Sequence, residues 1–361
     1  MPHANPDGSP TPHPDRRQPP RLLRLLPAAG TRRAHPPRGF DGALAGIFGN
    51  EQVPYSNLGT GKWVISDPEL GYRLNPAGDE INELSIRHAE ITMPKPAGVF
   101  RVVVLGDSIP WDRGGFVSSL AGQLAARGSV EVVNAAVPGY TSYQEVRFFG
   151  RYLLRTEPDL VVWTYCLNDN HRFLHRFDAA AQMLFTPEAM ESLEIRSWWD
   201  WIVSRSYVLS SLRLGLLGHR RAVSAAQVAF SWEARPDFNI AWKDYSWRAY
   251  AGHLREMVRL LDARRARLAV VIFPYEPQLD VRTRRDVRDY ALKPQAQLLR
   301  LCRKYDVPCL DLYPTFEAAY DRGAKLYRDQ IHLNEEGHRL SAAEILRFLD
   351  DRRLLPPAAK Q

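Results

Sequence analysis

Five short apolar runs, spaced by helical patterns and polar turns, set the tightest limit on what residues 100–350 can become. The run "FRVVVLG" (100–106) is nearly continuous Val and Leu, as in a strand covered on both faces. "SVEVVNAA" (129–136), "DLVVWTYC" (159–166), "RLAVVIFPY" (267–275) and "VPCLDLY" (307–313) repeat the pattern. Val117, Leu120, Ala121 and Leu124 recur at i, i+3, i+4, i+7, and Tyr250, Leu254, Met257, Val258 and Leu261 form a second helical stripe. Helices are also expected over 142–156 and 287–304. A last one, over about 335–350, has Asn334 placed as N-cap, Glu335 and Glu336 in its first turn, and Ala342, Ile345, Leu346 and Leu349 facing inward. Such alternation predicts a five-stranded parallel sheet with helices on both faces, a three-layer α/β/α domain. Ligands of these sheets bind beyond the carboxyl ends of the strands. "GDS", "NAAVPGY" and "CLNDN" each follow a strand directly, so they share one rim.

The flanks read differently. Residues 1–45 form a Pro- and Arg-rich tail: positions 1–40 hold ten of the 27 prolines and little to bury, so disorder is expected there. Residues 46–95 read as an N-terminal extension of short strands and turns. The main α/β body covers 96–355, interrupted by a long insert at 170–246. Six of the nine tryptophans lie between Trp198 and Trp247, consistent with a lid or with ordinary packing of bulky helices, and the second reading is preferred.

The net charge of +7 invites a nucleic-acid reading, but residues 1–50 alone carry seven Arg against three Asp. The rest is too evenly mixed for a basic reading face. The three cysteines, Cys166, Cys302 and Cys309, argue against a disulfide scaffold. No run reaches the roughly 18 apolar residues of a membrane span. "LLRLLPAA" is interrupted by Arg24 and Pro27 and makes a poor export signal, so a cytoplasmic location is the default expectation.

Ser108 has a plain reading as turn chemistry. To act as a nucleophile it needs a base, and the base needs an orienting group. Among ten histidines, His332 in "YRDQIHLNEEGHRL" stands between the fifth strand and the last helix, on the same rim as Ser108. Asp329, three residues earlier, can meet it across a helical turn or a tight loop. His338 falls within the helix and reads as packing. Donors for a developing oxyanion are the Ser108 N–H, the Gly139 N–H and the Asn168 amide. Asp107 reads as a structural hydrogen-bonding residue. A metal reading of "NDNHRFLH" would use Asp169, His171 and His175, but lacks a further strong ligand.

"GDS", "NAAVPG", "LNDN" and "DQIH" resemble the four blocks of the SGNH (GDSL) hydrolase superfamily, over about residues 95–350. The resemblance implies a flavodoxin-like α/β/α fold and an ester hydrolase, an esterase or O-deacetylase, needing no cofactor or metal. It implies Ser108 as nucleophile, His332 as base, Asp329 as its orienter, and Ser108, Gly139 and Asn168 as the oxyanion hole. The partner it implies is a small-molecule or glycan ester. Two positions depart from the pattern. Cys166 stands where Gly is usual, and "IPWDRGG" follows "GDS". Trp111 and Arg113, with Tyr140, are expected to shape the acyl pocket. An inactive binding protein on the same fold, or an acyltransferase to a glycan, are the alternatives.

Overall fold

The computed structural model describes residues 63–174, 176–178, 183–185 and 236–357. The tail, the extension before residue 63, and Trp198, Trp199, Trp201 and Trp232 of the insert lie outside the described residues.

Strand pairing follows the apolar runs. Strands β1 (Val64–Asp67) and β2 (Gly71–Leu74) form an antiparallel hairpin. The central sheet begins with β3 (Phe100–Leu105), β4 (Val130–Asn134) and β5 (Leu160–Tyr165). A second hairpin pairs β6 (Arg176–Asp178) with β7 (Met183–Phe185). Strands β8 (Arg267–Ile272) and β9 (Cys309–Asp311) complete the central sheet. Its five strands are all parallel, in the order β4-β3-β5-β8-β9.

The helices are α1 (Ser108–Trp111), α2 (Phe116–Ala125), α3 (Ser142–Phe148), α4 (Pro236–Asn239) and α5 (Ser246–Asp262). They continue as α6 (Glu276–Leu279), α7 (Val281–Ala291), α8 (Lys293–Lys304), α9 (Tyr313–Asp321) and α10 (Glu335–Asp351).

The period-2 alternation of strands sorts the core into two layers. Val103, Leu105, Val161, Trp163, Val270 and Ile272 face one side, with Leu254 and Met257 of α5 and Leu298 of α8. Val102, Val104, Val162, Ala269 and Val271 face the other, with Leu120 and Leu124 of α2, Phe316 of α9 and Ile345 and Leu349 of α10. Each is buried, so truncating one of these Leu, Ile, Met or Phe side chains to Ala costs about 2–5 kcal/mol. This is the expected α/β/α sandwich.

Two local expectations are corrected. The helix expected over 142–156 stops at Phe148; a π-helical turn (Phe149–Leu153) and a 3-10 turn (Leu154–Thr156) follow, ended by Glu157 at φ 54°. The helix expected over 287–304 is two helices joined at Leu292. Pro294 explains the restart: it lacks an N–H and clashes inside a helix, but suits a first turn. The described part of the extension packs onto the sheet domain. Val64, Leu70, Tyr72, Leu84 and Ile86 belong to the first core layer. Tyr72 Oη donates to the Pro138 carbonyl at 2.7 Å, and Gln144 Nε2 to the Leu70 carbonyl at 2.7 Å.

Of the six tryptophans from Trp198 to Trp247, Trp242 and Trp247 are described and both are core residues. Their indole N–H groups donate to the carbonyls of Tyr290 and Ala241, each at 2.8 Å. Among the described residues no helix is long and apolar enough to cross a membrane.

Candidate active site

The carboxyl ends of β3, β4 and β5 bring together the turns that the sequence places on one rim. After β3 the chain passes Gly106 and Asp107 and enters α1 at Ser108. A Cβ on Gly106 would lie 1.9 Å from Thr164 Oγ1 and 2.8 Å from Pro110 Cγ. Thr164 is fixed there by its own bond to the Leu105 carbonyl, at 3.0 Å. Glycine is therefore required by close approach, and the approach sets the sharpness of the turn into Ser108. Asp107 caps α1, its Oδ1 accepting from the Ile109 N–H at 3.1 Å. Ser108 is half-buried, and as first residue of α1 its N–H has no partner within the helix.

Asp329 and His332 meet at the tip of a tight hairpin. The Arg328 N–H donates to the His332 carbonyl and the Asn334 N–H to the Leu326 carbonyl, each at 3.0 Å. Within the tip, Asp329 Oδ1 accepts from the N–H groups of Ile331 at 2.9 Å and His332 at 2.8 Å. Its Oδ2 lies 2.8 Å from His332 Nδ1, and His332 Nε2 lies 2.9 Å from Ser108 Oγ. Partial burial alone would raise the Asp329 carboxyl, but the backbone N–H groups and the imidazole outweigh it and hold it below its usual range. An ionised Asp329 accepts from Nδ1–H. That assigns the tautomer and leaves the Nε2 lone pair facing the serine hydroxyl.

The third element is the 3-10 turn Leu167–Asn170 after β5. Cys166 N–H donates to Asp169 Oδ2 at 2.9 Å, closing the turn. Ser142, at the start of α3, donates its hydroxyl to the Asp169 carbonyl at 2.7 Å and stands 2.9 Å from His253 Nδ1. The hydroxyl has one hydrogen, so the imidazole is the donor to Ser142. Burial and the nearby Arg147 push His253 down to about 4, which keeps it neutral for this task at neutral pH. Tyr165 Oη donates to Asn170 Oδ1 at 2.8 Å, and Asn170 Nδ2 to Ser246 Oγ at 2.9 Å. These bonds fasten the turn that carries Asn168, which is 3% exposed. Gly139, in the turn after β4, has φ 76°, a conformation open to glycine at little cost.

Three buried carboxyl groups, Asp107, Glu145 and Asp169, lie beneath this rim. Burial raises all three above their ordinary range, and their mutual repulsion adds to the effect for Glu145 and Asp169. Glu145 Oε2 accepts from the Trp163 indole at 2.6 Å, while its Oε1, Asp107 Oδ2 and Asp169 Oδ1 have no hydrogen-bond partner among the described residues. The Asn168 side chain faces Asp107 and, with the Ile109 N–H, offsets part of the cost of its burial. Burial thus disfavours charge on the acids beneath the rim, which suits chemistry that develops an oxyanion above them, because a full negative charge there would oppose it.

Other expected residues are placed as follows. Tyr140 is corrected: it is fully buried, packed edge-on to Tyr72 and Phe148, and its hydroxyl donates to the Tyr72 carbonyl at 2.8 Å. Its side chain belongs to the core. Arg113 turns outward into an exposed ion pair with Glu80. Trp111 is half-buried, with the Arg87 guanidinium 3.8 Å above its ring. Cys166 is buried at φ −121°, a conformation any residue adopts, so the side chain in the usual Gly position brings no backbone strain. His175 lies outside the described residues, and among the described residues no group of three His, Cys, Asp or Glu side chains could hold a metal ion. Sequence reasoning missed Glu145, His253 and Asp112. His253 had a signal in its position on the inner edge of the 250–261 stripe.

A serine, a histidine and a carboxylate thus stand in hydrogen-bonded series at the carboxyl edge of a parallel sheet. Residues 104–340 match the GDSL-like Lipase/Acylhydrolase family, and the chain belongs to that family. It is an ester hydrolase. The fold is similar to that of a lipase/acylhydrolase from Enterococcus faecalis, at 17% identity over 73% of this chain and 100% of that one, with a TM-score of 0.43. It is also similar to an acetylxylan esterase from Geobacillus stearothermophilus, at 14% identity over 71% of this chain and 96% of that one, TM-score 0.43. An α/β hydrolase from the metagenome of Lake Arreo, Spain, is 18% identical over 72% of this chain and 98% of that one, TM-score 0.44. No curated protein sequence matches the chain.

Proposed function

We propose that the protein cleaves carboxylic esters, of small molecules or glycans, through an acyl-enzyme on Ser108. The supporting observation is the chain Asp329 Oδ2–His332 Nδ1–His332 Nε2–Ser108 Oγ, with contacts of 2.8 and 2.9 Å. His332 Nε2 takes the hydroxyl proton as Ser108 Oγ attacks the ester carbonyl. Asp329 holds the ring and stabilises the imidazolium that forms. The carbonyl oxygen gains charge and receives hydrogen bonds from the N–H of Ser108, the N–H of Gly139 and the Asn168 amide. His332 then returns the proton to the leaving alkoxide, which departs as alcohol and leaves acyl-Ser108. Water, deprotonated by His332, attacks the acyl carbonyl, and collapse releases the carboxylic acid and the free serine.

The test is turnover of p-nitrophenyl esters, from acetate upward in acyl length, by the wild type and by Ser108→Ala. Loss of turnover in a folded Ser108→Ala protein is expected. Undiminished turnover would remove Ser108 from the mechanism and leave the fold without its assigned nucleophile.

A further inference from the structure

"IPWDRGG" departs from the expected continuation after "GDS", and its Asp112 supplies a reason. Asp112 is the residue at which α1, the helix opened by Ser108, ends. Its carboxylate receives two donors from the far end of the chain. Arg328 Nη2 lies 3.0 Å from Oδ1 and 2.9 Å from Oδ2, and His338 Nε2 lies 3.1 Å from Oδ2. Burial alone would raise this carboxyl, yet the bonds from His338 and Arg328 hold it below its usual range, so it is ionised at neutral pH.

The His338 ring is fixed by more than this. Its Nδ1 accepts from the Phe116 N–H at 3.2 Å, so the ring hydrogen must sit on Nε2, facing Asp112. The ring also stacks on Phe116 with centroids 6.2 Å apart. Gly115 belongs to the same arrangement: a Cβ there would lie 2.9 Å from the Asp112 carbonyl and 3.1 Å from the His338 ring. The turn from Asp112 to Phe116 is thus closed against α10.

The two donors bracket the hairpin tip that carries Asp329 and His332. Arg328 directly precedes Asp329, and its own N–H holds the His332 carbonyl at 3.0 Å. His338 lies in the first two turns of α10, just beyond the tip. We propose that Asp112 is a positioning residue: gripping Arg328 and His338 together, it fixes the hairpin tip against α1 and so sets the His332–Ser108 separation. The proposal rests on the reading of Ser108, His332 and Asp329 as the catalytic groups. Asp112 touches neither substrate nor reacting atoms and acts through the geometry of the other three.

A tip freed to shift by about 1 Å loses about a hundredfold in rate. The experiment compares Asp112→Ala, His338→Asn and Ser108→Ala with wild type, by kcat and KM on p-nitrophenyl acetate, by fluorophosphonate labelling rate and by thermal unfolding. His338→Asn keeps an acceptor for the Phe116 N–H while removing the donor to Asp112, so it cuts the grip with α2 still anchored. A tenfold or greater fall in kcat and labelling rate, with KM within about threefold, is expected for both Asp112→Ala and His338→Asn in folded protein. Arg328→Lys, which keeps a cationic donor, should lose less than Arg328→Met. If Ser108→Ala is inactive while the other two keep wild-type kcat, the clamp is wrong and the triad stands. A loss confined to KM overturns it equally. Full turnover by Ser108→Ala would remove the underlying reading, and the clamp with it.

Discussion

His253→Asn isolates one buried group in a way the structure lets us quantify. The imidazole stands behind Tyr143 and Arg147 and donates to Ser142, which in turn holds the Asp169 carbonyl. Asn can present a donor in the same place but cannot take up a proton. In the unfolded chain the imidazole protonates below about pH 6.5, whereas in the folded protein it does so only near pH 4. Protons therefore favour the unfolded state in this window. The stability this group contributes is full above pH 6.5 and is lost as pH falls toward 4. The gap between the two values amounts to roughly 3 kcal/mol. Urea unfolding of wild type and His253→Asn at intervals from pH 7.5 to 4 reads it directly. The wild type should lose about 3 kcal/mol more than the variant across the window, with the curves parallel above pH 7. Parallel curves throughout would show that His253 protonates as freely in the folded protein as outside it, and would refute its role as a neutral donor.

Asp311 works in the opposite sense. Burial raises it to about 6 even though it accepts from the Tyr313 N–H at 2.9 Å, so its contribution to stability is full below pH 4 and lost as pH rises through 6. Asp311→Asn keeps the acceptor and should stabilise the protein at pH 7–8 by at most about 3 kcal/mol, with no gain at pH 4, measured by thermal unfolding. Gly106→Ala places a methyl 1.9 Å from Thr164 Oγ1, so destabilisation of about 3 kcal/mol by urea unfolding, with loss of turnover, is expected. Asn168→Ala should lower kcat by about 10²–10³ with little change in KM, as loss of one oxyanion donor does. An unchanged kcat would take Asn168 out of the site.

The sheet was legible because strands buried on both faces leave long apolar runs, and residues 100–106, 159–166 and 267–275 could hardly be anything else. Their turns then placed Ser108, Gly139 and Asn168 on one edge by topology alone. Asp329 and His332 were legible as a pair, but the local geometry was not: they meet across a hairpin tip, closed by backbone bonds that leave no mark in residue type. Tyr140 illustrates the opposite failure. Beside a glycine on the rim it reads as pocket-lining, yet its partner Tyr72 comes from an extension whose docking no local pattern reveals. Arg101 is similar: it sits on β3, fully buried, and is satisfied by Glu131 at 2.6 Å and the Thr92 carbonyl at 3.1 Å. Its partners are scattered along the chain, and only the folded protein assembles them. Asp112 went unread, and His338 read only as packing, for the same reason: the two stand more than two hundred residues apart.

The central claim, that Ser108 is a nucleophile activated by His332, is tested most directly by mapping the site of covalent capture. Wild-type protein is treated with a fluorophosphonate and digested, and the modified peptide is identified by mass spectrometry, with His332→Ala treated in parallel. A single adduct on Ser108, formed at least a hundredfold more slowly in folded His332→Ala, is the expected result, because the hydroxyl is a weak nucleophile without its base. An adduct on another residue, or equal labelling of Ser108 with and without His332, would contradict it.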